Sequence, residues 1–268
     1  MANRHRSMPR ALADPRTARV AKRTGHANRV LWFLAALSGV LIAVTVLSAV
    51  LVRGATRSRD SRINIEVGAL LAGIPQHGQT LGNVTAPVTL QVFAELQDPS
   101  SDTWFLTLLP ATINKFVRTN RLKIEYHSFK TNALASETFL KQQAAALAAG
   151  AQNKLWNYAY TFYHEQGQEY TPYVTESYLD NIARQVPSLN IKRWDTVRNA
   201  DSRVEQVVEE DQQARAEGIH VTPAYRIGPT GGVLKNFTGS ASTTYTGQIH
   251  PTTYASAQDI TKAIDQMH

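Results

Sequence analysis

The sequence predicts an α/β fold: one sheet with a block of helices inserted into it, preceded by a single membrane-spanning helix. Three observations carry this. Short β-branched runs at 88–95 and 122–129 flank one helical stretch. A long Ala- and Tyr-rich region at about 134–218 follows, patterned for helices. Two further short strands and a last helix close the chain, so its first and last parts share one sheet around the insertion.

The N-terminal part is set by charge and hydropathy. Of 28 Lys and Arg and 21 Asp and Glu in 268 residues, eight basic and one acidic (Asp14) lie in 1–29, which leaves twenty of each elsewhere. The net charge of +7 therefore belongs to the tail, and the rest is neutral. Residues 30–52, VLWFLAALSGVLIAVTVLSAVLV, carry no charge. At about 1.5 Å per residue they reach roughly 30–35 Å, enough to cross a bilayer. The run is too long for a cleaved leader and apolar all round, so it reads as a retained signal anchor. Lys and Arg before it place the N-terminus in the cytoplasm and the rest outside. The fewer arginines beyond it, Arg53, Arg57, Arg59 and Arg62, oppose this orientation. The basic tail then reads mainly as a topology signal, with contact to anionic lipid left open, and nucleic acid is not expected as a partner.

Residues 53–79 read as a linker. Within and beyond it, 63–72 suits an amphipathic turn or two, and GIPQHGQTLGNVTAP, with three Gly and two Pro, reads as a connector and lead-in loop. Residues 80–268 form the folded domain. The run at 88–95 alternates and is a strand; 98–119 is a helix with Trp104, Leu108, Ile113, Phe116 and Val117 on its apolar side and a kink at Pro110. LKIEYHSF at 122–129 is a second strand. Helices follow at 136–149 and 154–165, with Ser or Thr caps opening others near Thr175 and Ser202. Residues 224–227 and 233–237 form a hairpin around GPTGG, and 257–267 is the final helix.

The most informative stretch is AELQDPSSDTWF, where a strand ends against a helix start. Such a junction often carries a reactive group. Here it holds Asp98, Pro99, Ser100 and Ser101. Asp is a favoured N-cap and Pro suits the first helical position, so the stretch reads first as a stable cap. A ligand-facing polar patch is the second reading and a recruited catalytic role the third. The chain has no cysteine, so it can form no disulfide, thiolate nucleophile or cysteine metal site.

The stretch LGNVTAPVTLQVFAELQDPSSDTWF resembles the opening of the thioredoxin fold in the DsbA-type disulfide oxidoreductases. There a similar strand runs into a Cys-Pro-x-Cys helix start. The cysteine positions fall on Asp98 and Ser101, with Pro99 and Ser100 between. The family also has an inserted helical domain and then a Thr-Pro loop with a cis proline, which corresponds to Val221, Thr222 and Pro223. The resemblance runs from about Ile74 to the C-terminus. It implies a thioredoxin-like fold with a helical insertion, a bacterial source, and an edge at Thr222 and Pro223 that pairs with an extended peptide. Thiol–disulfide exchange needs a thiolate attacker and a resolving thiol. Neither exists here, so the redox reaction is excluded. Backbone pairing needs no cysteine and can outlast it.

Other chemistry is weakly signalled. A hydrolase could set Ser100 or Ser101 with His127 and Glu137, but no G-x-S-x-G elbow is present. His127, His164, His220 and His250 lack metal-ligand spacing, and GPTGGVLKNFTG lacks the G-K-[ST] of a phosphate loop. No metal or other cofactor is expected. Of Tyr158, Tyr160, Tyr163, Tyr170, Tyr173 and Tyr178, most read as core of the helical insertion and a few as lining a groove beside Asp98. The function expected is a membrane-anchored, extracytoplasmic, non-redox module binding an extended polypeptide or protein partner at the Asp98 and Pro223 face. The alternatives are a hydrolase or transferase using recruited polar groups, or a structural envelope component.

Overall fold

The computed structural model describes residues 15–241, 244–245, 248–249 and 254–267. It divides into two compact units, 1–59 and 60–268. Helix α1 (Pro15–Leu71) supplies the described part of the first. The first fourteen residues of the basic tail, the side chains of its remainder and those of Arg53 and Arg57 lie outside the described residues. In the apolar run, the described large side chains from Trp32 to Val52 are 57% to 77% exposed. At residues 30, 31, 35, 36, 39 and 50 the side chains lie outside the described ones, and among the described residues no helix is long and apolar enough to cross a membrane.

In the second unit the last turns of α1 bury Ile63, Val67 and Leu71, a one-sided i, i+4, i+8 stripe. The Arg118 guanidinium donates to the terminal carbonyls of Ala69, Leu70 and Ala72 at 3.2, 2.6 and 2.8 Å. A cation there complements both the unpaired carbonyls and the helix dipole. Gly73, at φ +71°, ends the helix. The stretch expected as lead-in loop instead contains two short strands, β1 (Gln76–His77) and β2 (Thr80–Leu81), at one side of the sheet. Long-range bonds fix them: the Gln76 amide donates to Asn157, the Gln79 amide to the Tyr126 carbonyl, and the Trp156 indole to the Gln79 carbonyl.

The sheet has the order β1-β2-β4-β3-β5-β6. Strands β3 (Val88–Ala94) and β4 (Leu122–Ser128) run parallel, joined by the helix between them. Strands β5 (Ala224–Pro229) and β6 (Lys235–Phe237) complete the sheet antiparallel, so the chain's two ends do share it. Strand β4 alternates buried and partly exposed residues. In β3 every residue but Gln91 is buried, because a central strand is covered on both faces. Gly82, at φ +102°, leaves the chain close to β4: a Cβ there would lie 2.9 Å from Val117 Cγ1 and 3.2 Å from the Leu122 carbonyl oxygen.

The helix after β3 is not a single α-helix kinked at Pro110. It runs as α2 (Pro99–Thr103), a π turn (Trp104–Leu108), α3 (Leu109–Thr112) and a second π turn (Ile113–Val117). The Leu109 amide bonds the carbonyl five residues back, at Trp104. The widened turn precedes Pro110, which has no amide to give and whose ring would crowd the carbonyl four residues earlier. The turns bury Trp104, Phe105, Ile113, Phe116 and Val117. Leu108 is only partly buried.

Between β4 and β5 the chain inserts α4 (Ser136–Gly150), α5 (Leu155–His164), α6 (Glu176–Gln185), α7 (Ile191–Arg198) and α8 (Asp201–Ala216). Thr175 caps α6 as expected, accepting from the Tyr178 amide. Ser202 caps nothing: α8 begins after Ala200, and Ser202 lies in its first turn. Helix α7, absent from the expected elements, is capped by Asn190 and held by Trp194, whose indole donates to the Ala145 carbonyl at 2.8 Å. Phe105 is a meeting point of the two layers, with ring centroids 4.5 to 6.2 Å from Trp104, Tyr126, Trp156, Tyr160 and Tyr163. A hairpin of β7 (Thr244–Tyr245) and β8 (Gln248–Ile249) precedes α9 (Ala257–Asp265), which opens on a reciprocal cap between Ser256 and Asp259.

Candidate functional site

Strand β3 delivers Glu95, Gln97 and Asp98 to the sheet's end, and α2 starts there. Asp98 is the N-cap. Its carboxylate accepts from the Ser100 amide at 3.1 Å, the Ser101 amide at 2.8 Å and the Ser101 hydroxyl at 2.7 Å. Pro99 begins the helix, where a missing amide costs nothing. The cap expected at Asp98 is therefore present, but it is buried: Asp98 is 4% exposed. Burial pushes its carboxyl up from the ordinary range, against hydrogen bonds from Ser101, Thr222 and the amides of Ser100 and Ser101.

The Thr222–Pro223 bond is cis, and the Thr222 side chain faces the Asp98 carboxylate. Thr222 and Pro223 are buried, while Val221 is 60% exposed. Their hydroxyl neighbour is Thr131, whose Oγ1 lies 2.5 Å from that of Thr222. Thr131 in turn donates to Glu95 at 3.1 Å. Asp98 and Glu95 are thus joined through two hydroxyls.

Glu95 was not singled out by its sequence context, yet it is fully buried and organises the loop after β4. Its carboxylate accepts from the amides of Thr131, Asn132 and Ala133 at 2.5, 2.5 and 2.6 Å, and the Gln142 amide approaches at 3.3 Å. Three consecutive amides turned onto one carboxylate form an anion nest. Burial raises this carboxyl, and the nest opposes the rise. Asp102, one turn beyond Asp98, is raised to about 7, by burial first and then by the negative charge of Asp98.

Beside Pro223 a cleft of about 480 Å³ opens, lined by Ile219, Val221, Pro223, Tyr225 and Phe237 with His220 on its rim. Of the tyrosines, Tyr158, Tyr160 and Tyr163 are core, and the Tyr163 hydroxyl donates to the Glu95 carbonyl at 3.2 Å. Tyr173 and Tyr178 are partly buried. Tyr170 is 67% exposed, close enough to Asp98 to feel its charge.

The Ser, His and Glu arrangement considered for a hydrolase is not assembled. The Ser101 hydroxyl is spent on Asp98, His127 stacks on Phe93 with centroids 5.2 Å apart, and Glu137 pairs with Lys141. His127 lies within β4, and burial lowers its pKa against the pull of Glu210 and Glu125. His164 approaches Glu66 at 3.9 Å, and His250 lies outside the described residues. Among the described residues no three His, Cys, Asp or Glu side chains gather as metal ligands would.

Comparison with known proteins agrees with this geometry. A family model described as Thioredoxin matches residues 76–231. The probable disulfide bond formation protein D of Bacillus anthracis is 21% identical over 157 residues, covering 56% of this chain and 69% of its own. Among solved structures, oxidised BdbD of Bacillus subtilis matches with a TM-score of 0.56 at 14% identity, over 72% of this chain and 96% of its own. Alpha-DsbA1 of Wolbachia pipientis matches with 0.54 at 16%, over 73% and 91%. This chain, which has no cysteine, belongs to the thioredoxin family as a DsbA-like member without the Cys-x-x-Cys motif.

Proposed function

We propose that this protein is a membrane-anchored, extracytoplasmic binding module that holds an extended polypeptide at the face formed by Asp98, Val221, Thr222 and Pro223, with no thiol chemistry. The observation that carries this is the apolar cleft beside Pro223, which borders an exposed residue, Val221, in the segment leading into β5. An extended ligand gains main-chain pairing along such an edge and places alternate side chains in the cleft. Loss of both cysteines removes exchange and leaves this surface in place. The anchor is supported by the uncharged run at 30–52, the helix Pro15–Leu71 that contains it, and the outward apolar side chains of its described part. The basic residues before the run favour a cytoplasmic N-terminus.

The test is selection of peptides from a random extended library on the full-length protein in detergent micelles, with affinities read by fluorescence anisotropy. Wild type retains peptides, and Val221→Asp weakens them about tenfold or more by placing an unpaired charge in the cleft. Absence of any retained peptide, or equal retention by Val221→Asp, overturns the reading.

A further inference from the structure

The sheet ends on β6, and no strand pairs with its outer side among the described residues. Lys235, Asn236 and Thr238 along this edge are exposed. Such an edge presents main-chain N–H and C=O groups with which an extended chain can pair. Two hollows flank it. One is the cleft beside Pro223, and the other, of about 400 Å³, lies against α9. Asn236, Phe237 and Thr238 line both, so the two open on the same stretch of edge.

They lie on opposite faces of the sheet. Ala224, in the first, packs with Ile219 and with Ala214 of α8. Ile227, in the second, belongs to the main core with Ala263 of α9. The two are three residues apart on β5, and successive side chains of a strand alternate between faces. A strand laid along β6 would therefore turn its side chains into the two hollows alternately. The hollows differ in charge. The first is lined by no Lys, Arg, Asp or Glu. The second is bounded by Ile227, Phe237 and Met267 and by two lysines, Lys235 of β6 and Lys262 of α9. Lys235 is paired across the strands with Ile227, which puts it on that face. Both lysines are exposed, and neither has an ion-pair partner among the described residues. The acid in this lining, Asp259, is buried and already accepts from the hydroxyls and amides of Ser240 and Ser256. Two ammonium groups against one carboxylate leave the second hollow positive.

We propose that the polypeptide docked at the Pro223 cleft continues along β6 as a seventh strand of the sheet, with apolar side chains in that cleft and an acidic side chain between Lys235 and Lys262. The inference rests on the peptide-binding reading and adds the path of the ligand and its charge. Charge also decides the occupant. A second copy pairing β6 with β6 would bring its own lysines to the same edge, a device by which sheets discourage self-association. A strand carrying aspartate or glutamate meets the excess positive charge instead, while its main chain takes up the open edge.

The test uses two peptide libraries on the full-length protein in detergent micelles. Both have valine at alternate positions, and the fixed central residue between valines is glutamate in one and glutamine in the other. Wild type binds the glutamate library about fivefold more tightly at low salt, and the preference fades at about 0.5 M salt. Binding slows amide hydrogen exchange at residues 235–238. The Lys235→Gln/Lys262→Gln variant loses the preference and still binds both libraries, and Val221→Asp weakens both alike. Equal binding of the two libraries by wild type, a preference kept by the double variant, or a preference without protection at 235–238 overturns the inference and leaves the peptide reading standing. Protection of 235–238 in the free protein that rises with protein concentration means that a second copy holds the edge, and overturns it as well. Binding of neither library overturns both readings.

Discussion

The Ser101 hydroxyl donates to the Asp98 carboxylate at 2.7 Å, joining the two positions onto which the sequence resemblance places the cysteines of the DsbA-type motif. The pair is three residues apart across the first helical turn, and the side chains already face each other. That geometry makes a reciprocal prediction. In the Asp98→Cys/Ser101→Cys variant the thiols should close to a disulfide under mild oxidation, because the separation falls within the span such a bond tolerates. Losing the cap costs about 1 kcal/mol. Thiol counting before and after oxidation decides it. A pair that stays reduced in the folded protein would sever the link between the Asp-Pro-Ser-Ser turn and a Cys-Pro-x-Cys start.

Glu95 should matter more to the fold than Asp98 does. Its carboxylate is the shared acceptor of three consecutive amides, and Glu95→Ala would take that acceptor from all three, leaving the buried Ala133 amide without a partner. A buried donor left unsatisfied costs about 1–3 kcal/mol, and the two more open amides can turn to water, so a total loss of roughly 3 kcal/mol is expected. Glu95→Gln keeps one oxygen and should cost less than half as much. Urea unfolding measures the loss, and amide hydrogen exchange at residues 131–133 locates it. Unchanged protection of those amides in Glu95→Ala would mean that the nest is not what holds the loop.

How much of this could be read from the sequence depended on whether the governing contacts were local. The strand at 122–129, the Ala-rich α4 behind Ser136 and the helix cap at Asp98 are local signals, and each stands where it was expected; the alternation read in 88–95 does not appear as alternating burial, because β3 is central and covered on both faces. The Thr222–Pro223 loop was placed by resemblance, from its order after the helical block. Glu95 was missed because its partners lie 36 to 38 residues away and nothing in FAELQ announces them. The strands at Gln76 and Thr80 were missed for the same reason: a Gly- and Pro-rich stretch reads as loop until Asn157, Trp156 and Tyr126 bond to it. Helix α7 has little apolar periodicity in IKRWDTVR and depends on one buried indole. At Pro110 the kink rule met a chain that widens its turn before the ring. Asp102 is legible as an added acceptor in the first helical turn, whereas its burial is visible only once the surroundings are in place.

The proposed topology predicts a protease pattern. In right-side-out membrane vesicles from an expressing bacterium, added protease should nick the domain beyond residue 60 and spare the basic tail, since the larger Lys and Arg excess precedes the apolar run. Alkaline carbonate should leave the protein in the pellet, as expected for a spanning helix. Protection of the domain with loss of the tail would reverse the orientation, and release by carbonate would remove the anchor.

The buried acid Asp102 should make stability depend on pH in a direction opposite to that of a salt-bridged carboxylate. Its folded value of about 7 lies above the ordinary 3.8, raised by burial and then by Asp98. A group raised in this way favours the folded state most fully when protonated, below its unfolded value. That contribution is lost as pH climbs from about 4 through about 7. Asp102→Asn cannot ionise, so it should escape the loss: little change in stability against wild type near pH 4, and a gain on the order of 2 kcal/mol near pH 8, after allowance for the partial exposure of the side chain. Asp98 and Glu95 titrate in both proteins, so the difference between the two curves isolates Asp102 together with its coupling to Asp98. Urea unfolding at about pH 4, 6 and 8 provides the curves. A gain that is equal at all three would trace to packing and not to charge, and a loss at high pH would show that a cation of this chain already partners Asp102.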